Sequence, residues 1–350
     1  RALLAAAAIL LAPTLIANSA WWGQCDIIWV SLILGAFYFT LVRRPLAAVI
    51  LFGIGLSFKA HAFFFAPYLF MLFLRGEVRL WHFACVPLVY AAMMMPAVLL
   101  GRSWMDVFSV YLRQAEHFRS LSMSAPNLYY FVPNEFYTAG VAVGLTATTL
   151  ASAVLAYLPR LKRAQLDEKA LVLAATMFVA LSVFLLPKMH DRYFLAADLF
   201  SIVLVFFVPR LWLVAVGFQI SSMAAYVPNI TFSLTGSATG ATVPMAAMLN
   251  TVLVAFLVTE FWRICTRPGS RLGETMETFA TAGAAVIGAN IVWIAVALTQ
   301  DLLFARLCPG AEGLVGFAVC EWEVPVNITY ASWTRWPLFF AILAASWVVA

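Results

Sequence analysis

Residues 171–208 read LVLAATMFVALSVFLLPKMHDRYFLAADLFSIVLVFFV. Two runs, Leu171 to Leu186 and Leu195 to Val208, are almost wholly apolar. Between them Lys188, His190, Asp191 and Arg192 put four titratable or charged side chains into five consecutive positions. One Lys, Asp or Arg at the centre of a hydrophobic helix costs roughly 2.5 to 3.5 kcal/mol on insertion scales. The cluster is therefore expected where water or an ionic ligand can reach it. The plain alternative is a polar turn at a helix end, and other polar islands on the same side of the membrane argue against it.

The rest of the chain has the same texture. Its 350 residues are 64% hydrophobic and 11% charged, with mean hydropathy +0.95; soluble domains are roughly 45 to 50% apolar and 25% charged. This composition predicts an integral membrane protein: an all-α, polytopic transmembrane helix bundle, read as one domain over 1–350 because no long soluble insertion interrupts it. A window of about 19 residues gives about 12 hydrophobic segments. They lie near 2–17, 27–42, 45–58, 62–74, 83–100, 138–158, 170–186, 195–208, 211–227, 241–262, 277–299 and 337–350. Segments 45–58 and 62–74 are short for spans and stay open to being joined through Lys59-Ala60-His61. The net charge of +5 is mild and carries no nucleic-acid footprint.

Both ends read as cut. Residues 2–17 are apolar from the start and run straight into Asn18-Ser19-Ala20-Trp21-Trp22, without a signal-peptide cleavage site. The last run, 337–350, is shorter than the about 20 residues a span needs. The five cysteines show no metal-ligand spacing; Cys308 and Cys320 share one predicted external loop, where a disulfide and two free thiols are both open.

If the loops alternate, one side collects Arg43, Arg44, Arg75, Arg79, Arg160, Lys162, Arg163, Lys169, Arg210, Arg263, Arg267 and Arg271, and the positive-inside rule makes that side cytoplasmic. The opposite side receives 18–26, 59–61, 101–137, 187–194, 228–240 and 300–336, so every chemically distinctive stretch is expected outside. In the first, Trp21 and Trp22 are adequate as interface anchors. Asn18, Gln24 and Asp26 are a carboxylate and two amides at the mouth of a bundle, suited to sugar hydroxyls or a metal ion. In the second, Lys59 and His61 sit among phenylalanines, where a lysine must snorkel, pair with an acid or meet an anion.

In the long loop, Trp104, Val107, Phe108, Tyr111, Leu112, Ala115 and Phe118 share one helical face, opposite Asp106, Arg113, Gln114, Glu116, His117 and Arg119. That pattern predicts an amphipathic helix lying in the interface plane, its polar side a solvated face. Asn127, Tyr129 and Tyr130 follow Pro126, in an aromatic run suited to a hydrophobic groove or a sugar ring. The part from Trp212 onward is poor in charge and reads as scaffold, with the motifs confined to about 1–200. Asn229-Ile-Thr and Asn327-Ile-Thr fit a glycosylation sequon, a pattern common by chance.

Taken together, these stretches give a chain that resembles the GT-C superfamily of polytopic glycosyltransferases, and most of all bacterial relatives of the GPI-anchor mannosyltransferases. The resemblance is carried by Asn18-Ser19-Ala20 with Trp22-Gly23-Gln24-x-Asp26, by Ser57-Phe58-Lys59-x-His61 with Pro67, by Ala125-Pro126-Asn127 before aromatics, and by 186–194. It covers about residues 15 to 200. His61 stands where relatives often carry Gln, and Asp191 where Glu is usual. The acidic residue taken as the catalytic base in such enzymes is expected upstream of Arg1.

The resemblance implies inverting transfer of a sugar, mannose or another hexose, from a polyprenyl-phosphate-linked donor to an acceptor hydroxyl of a lipid or glycan. It implies a bacterial inner membrane with the site facing the periplasm or exterior. Lys59, Lys188, His190 and Arg192 would bind the donor phosphate. Asp26 is the best carboxylate present for sugar binding or base work. Asn18, Trp22, Gln24, His61, Asn127, Tyr129, Tyr130, Asp191 and Tyr193 would contact sugar or acceptor. A divalent cation stays open as cofactor. The competing readings are a transporter or flippase of lipid-linked saccharides, for which neither midplane charges nor inverted repeats are visible, and a catalytically silent scaffold or polymerase subunit.

Overall fold

A computed structural model describes residues 2–235, 242–267, 269–277, 279–281, 284 and 288. The chain divides into two compact units, Arg1–Met276 and Glu277–Ala350; the helix bundle and its polar sites belong to the first. The segment 337–350, most of 277–299, the Cys308 and Cys320 pair and the Asn327 sequon lie outside the described residues.

The regular structure of the described chain is helical apart from one pair of two-residue strands. It opens with α1 (Ala2–Leu10) and α2 (Pro13–Leu15), which runs on as a π-helical turn (Ile16–Trp21). Next come α3 (Asp26–Leu41), α4 (Pro45–Phe58), a 3-10 turn (Ala60–Phe65) leading into α5 (Ala66–Leu74), then α6 (Leu80–Phe83) and α7 (Cys85–Leu99). The long loop carries α8 (Trp104–Phe108), α9 (Val110–His117) and strand β1 (Ser122–Met123). After them α10 (Tyr137–Leu161) and α11 (Glu168–Leu185) lead to strand β2 (Met189–His190). The remaining helices are α12 (Leu195–Phe207), α13 (Trp212–Thr235) and α14 (Thr242–Thr266).

Five helices among the described residues are long and apolar enough to cross a bilayer, and a sixth results if α1 and α2, bent by 43° at their break, count as one span. The expectation of about 12 included shorter pieces. With 16 and 14 residues, α3 and α4 reach only about 24 and 21 Å at 1.5 Å per residue, against a hydrocarbon layer of about 30 Å. The single amphipathic helix expected over 104–118 is two short helices that meet at Ser109, which ends α8 and leads into α9.

The apolar run before the 187–194 cluster becomes the centre of the bundle. Every residue of α11 from Ala170 to Phe184 is buried, whereas α7 buries none of its own. A helix apolar all round belongs either inside a bundle or against lipid, and these two take the two places. Of the buried hydroxyls of α11, Thr176 donates to the Val172 carbonyl at 2.9 Å, one turn back, and Ser182 reaches the Phe64 carbonyl at 3.4 Å.

Two ends of the bundle differ in chemistry. At one, arginines tie helix termini together: Arg43 to Glu77 at 2.9 Å, Arg75 to the Ala164 carbonyl at 3.1 Å, and Arg160 to the Leu74 carbonyl at 2.8 Å. At the same end of α14, buried Glu260 takes two 3.0 Å contacts from Arg263 and the Gly273 N–H at 2.8 Å, which closes the following turn. At the other end β1 and β2 pair in parallel, Ser122 opposite Met189 and Met123 opposite His190, and the Lys188 N–H reaches the Leu121 carbonyl at 2.7 Å. Ser124 and Lys188 both hold positive φ there, a backbone region that costs non-glycine residues energy and recurs where a loop is pinned for a purpose.

Candidate functional site

The site is built around Asp26, the first residue of α3 and fully buried. A carboxylate in the first turn of a helix is favoured by the helix dipole, but burial this deep needs partners. They come from four separate stretches. Trp29, one turn along α3, donates its indole N–H at 3.0 Å. The Asn18 amide, from the π-helical turn, lies at 3.5 Å. The Lys59 ammonium, where α4 gives way to the 3-10 turn, contacts one carboxylate oxygen directly. Arg192, just before α12, brings Nε to 3.4 Å of the other. That last contact is an ion pair whose N–H is not aimed at the carboxylate, so Nε is left without a hydrogen bond.

Aromatic rings enclose the two cations. The Lys59 ammonium stands 5.3 Å from the Tyr193 ring centre, and the Arg192 guanidinium 5.5 Å from both Trp22 and Tyr193. The Tyr193 ring centre stands 3.8 Å from that of His61 and 5.3 Å from that of His190. Burial pushes the Tyr193 hydroxyl up to about 12. Burial first, then Arg192 and Lys59, hold His190 down to about 4, so His190 offers a neutral N–H at pH 7 and not the full charge that its residue type left open.

Asp191 accepts from the Arg192 backbone N–H at 2.9 Å, has the Arg192 guanidinium at 4.0 Å, and takes a direct hydrogen bond from the Asn229 amide. Burial raises its carboxyl to about 7 against the opposing pull of Arg192 and those donors. Asn229 lies on α13, as does Tyr226, whose ring meets Trp22 edge-on at 5.7 Å. The stretch from Trp212 thus supplies two residues of the site, and an Asn229 amide committed to Asp191 is unsuited to glycosylation.

Asn18, Trp22, Asp26, Lys59, His61, His190, Asp191, Arg192 and Tyr193 therefore come together, and five other expected site residues do not. Gln24 is half-buried and gives its backbone N–H to the Asn18 carbonyl at 2.9 Å. Asn127, fully buried, spends its amide on the backbone: it accepts from the Tyr129 N–H at 3.1 Å and donates to the Leu186 carbonyl at 3.0 Å and the Val183 carbonyl at 3.4 Å. It acts as the cap of a 3-10 turn (Leu128–Phe131) and a clamp on the end of α11, not as a sugar ligand. Tyr129 is buried, and a side-chain carbon added at Gly144 would meet its hydroxyl and stand 2.7 Å from Pro187 Cδ. Tyr130 packs edge-on against Phe131 at 5.8 Å. The Lys188 ammonium donates to the Tyr137 hydroxyl at 2.7 Å, away from Asp26.

Trp29, Tyr226 and Asn229 were missed in sequence. Trp29 was findable, since three residues after Asp26 on a helix is the same face. Two buried polar atoms beside the cluster have no hydrogen-bond partner among the described residues: His61 Nδ1 and Arg192 Nε. Such atoms cost about 1 to 3 kcal/mol each when left dry, and a polar ligand reaching them relieves that cost. A divalent cation does not fit this donor set. Both carboxylates already face Arg192, and among the described residues no three His, Cys, Asp or Glu side chains converge. The chemistry available is anion binding: two partly exposed cations and a neutral imidazole beside Asp26, whose single charge offsets one of the two.

No protein-family model, curated protein or solved structure matches the chain.

Proposed function

We propose that the chain is a GT-C-like membrane glycosyltransferase that takes a sugar from a polyprenyl-phosphate donor, seating the donor phosphate against Lys59 and Arg192. The observation that carries this reading is the convergence of Asp26, Lys59 and Arg192, from three distant stretches of sequence, into one partly enclosed charged cluster. In such a transfer the bond from the sugar's anomeric carbon to the phosphate oxygen breaks, its electrons stay on the phosphate, and the acceptor oxygen bonds to that carbon as its proton passes to water. The phosphodiester becomes a monoester and gains negative charge. Fixed cations placed where charge develops are the most effective stabilisers known for such steps.

In that scheme Arg192 presents a planar fork to two phosphate oxygens, Lys59 adds a point charge, and neutral His190 gives a hydrogen bond. Asp26 anchors the two cations through its two oxygens. This revises its expected role as base, since a fully buried carboxylate already shared by two cations is poorly placed to take a proton.

This reading also needs a place for the lipid tail. An apolar groove of about 440 Å³ is lined by Leu56, Ala60, Phe63, Tyr90, Phe108 and Tyr111 among others. Ala60, in the groove lining, follows Lys59 in the chain. Tyr111 gives its hydroxyl to the Leu56 carbonyl and Tyr90 approaches the Val107 carbonyl at 3.4 Å.

The test is transfer of labelled sugar from a polyprenyl-phosphate mannose donor, with the full-length protein in membranes. Arg192→Ala and Lys59→Ala are each expected to lower the rate by about 100-fold or more, the size of losing one transition-state donor, while the protein stays folded. Wild-type rates in both variants remove the cluster from catalysis. Movement of the intact lipid-linked sugar across proteoliposomes, with no covalent transfer, favours the flippase reading instead.

A further inference from the structure

A second polar cavity lies at the far ends of α3 and α4 from Asp26 and Lys59. It measures about 320 Å³ and is lined by Thr40, Arg43, Glu77, Arg79, Trp81 and His82 among others. Thr40 is in the last turn of α3, whose first residue is Asp26, so the two sites are separated by about 21 Å of helix at 1.5 Å per residue.

The cavity is positive and its donors are arranged. Glu77 is bound by Arg43 at 2.9 Å and by Arg75 at 2.7 Å. With Arg79 on the rim, three guanidinium groups stand against one carboxylate. Arg43, two residues past the end of α3, has φ at 57°, a left-handed conformation that few non-glycine residues adopt. His82 is 5% exposed, and its Nδ1 accepts the Arg79 backbone N–H at 2.8 Å. A neutral imidazole with Nδ1 accepting carries its proton on Nε2, and Nε2 has no hydrogen-bond partner among the described residues. A buried histidine thus lines a cationic cavity with one N–H still to give. The Trp81 ring, 53% exposed, lies 4.0 Å from the His82 ring at the start of the candidate span Leu80–Leu99. Exposed tryptophans at the end of an apolar helix mark headgroup depth.

We propose that this cavity binds a phosphate group, through the Arg43 and Arg79 guanidinium forks and the His82 Nε2–H. Guanidinium groups match phosphate oxygens in pairs, and a neutral N–H adds direction without adding charge. The chemistry is shared by the phosphodiester headgroup of an anionic membrane lipid and by a free phosphate compound. The site makes no use of the Asp26 cluster.

The test places the purified full chain in nanodiscs of phosphatidylcholine alone, of phosphatidylcholine with phosphatidylglycerol, and of phosphatidylcholine with added inorganic phosphate, and follows the thermal unfolding midpoint as each ligand is titrated. Arg43→Gln and Arg79→Gln alter exposed side chains. His82→Asn keeps an acceptor near the Nδ1 position for the Arg79 N–H and deletes the Nε2 donor. A midpoint that rises with phosphatidylglycerol, with apparent affinity about tenfold weaker in the variants, assigns a lipid headgroup; about tenfold corresponds to one charge-assisted hydrogen bond. A rise with inorganic phosphate that the variants lose assigns a free phosphate compound. No response to either ligand, or equal responses in wild type and all three variants, overturns the proposal.

Discussion

The Arg192 Nε atom stands 3.4 Å from Asp26 Oδ2, joining a residue just before α12 to the first residue of α3. Lys59 contacts the same carboxylate through its other oxygen. One buried acid therefore fixes two cations that sequence separation would otherwise leave independent, and this arrangement has measurable consequences.

Removing the acid leaves two like charges facing one another in a poorly hydrated site. Breaking a buried ion pair by deleting one partner typically costs about 3 to 5 kcal/mol. The low end, about 3 kcal/mol, is expected for Asp26→Asn, because the Lys59 and Arg192 side chains keep 21% and 19% of their exposure. Adding Lys59→Met should return a sizeable part of that loss. Unfolding of the two single variants and the double variant in one detergent measures the coupling.

The pH profile should carry two opposed slopes from neighbouring residues. His190 is lowered in the folded protein from 6.5 to about 4. Its contribution to stability is complete above about 6.5 and disappears as pH falls toward 4. Asp191 is raised from 3.8 to about 7. Its contribution is complete below about 4 and disappears as pH rises through 7. His190→Gln is expected to flatten the acid limb and Asp191→Asn the neutral limb, read as unfolding midpoint against pH.

Gly144 is expected to tolerate no side chain. Its Cβ would meet the Tyr129 hydroxyl and stand 2.7 Å from Pro187 Cδ, and overpacking of this kind costs about 1 to 3 kcal/mol. Gly144→Ala should be destabilised, should disturb the loop that leads to Arg192, and should be partly rescued by Tyr129→Phe, which removes the hydroxyl. A double-mutant cycle on unfolding midpoints checks this; an additive result sets the packing argument aside.

Asn229→Ala should impair the site although it lies in the stretch read as scaffold. The buried Asp191 carboxylate loses a direct donor, a loss of about 1 to 3 kcal/mol. The neutral limb of the pH profile should then move to higher pH, a shift that a purely structural defect would not produce.

What was legible in sequence was the cost of charge in an apolar setting. Asp26, Lys59 and Arg192 each stood out because no lipid-facing helix carries them cheaply, and the three meet. What was not legible was direction. Asn127 and Asn229 are the same amide in apolar surroundings, yet Asn127 faces the end of α11 and Asn229 faces Asp191; only the packing of α13 against residues 191–194 separates them. Tyr129 and Tyr193 differ in the same way. Hydropathy also cannot tell a span from a short buried helix. α3 and α4 are largely apolar but shorter than a full span, and that accounts for part of the gap between the twelve segments expected and the five long helices described. The break at Ser109 was hidden because the amphipathic face continues across it.

The most direct measurement is the affinity of the purified protein for polyprenyl phosphate, the lipid product of the proposed transfer, in wild type and in Lys59→Gln and Arg192→Gln. Each variant is expected to bind about tenfold or more weakly, the size of one charge-assisted hydrogen bond, with its fold intact. Unchanged affinity in both would contradict the assignment of this cluster as a seat for a lipid phosphate.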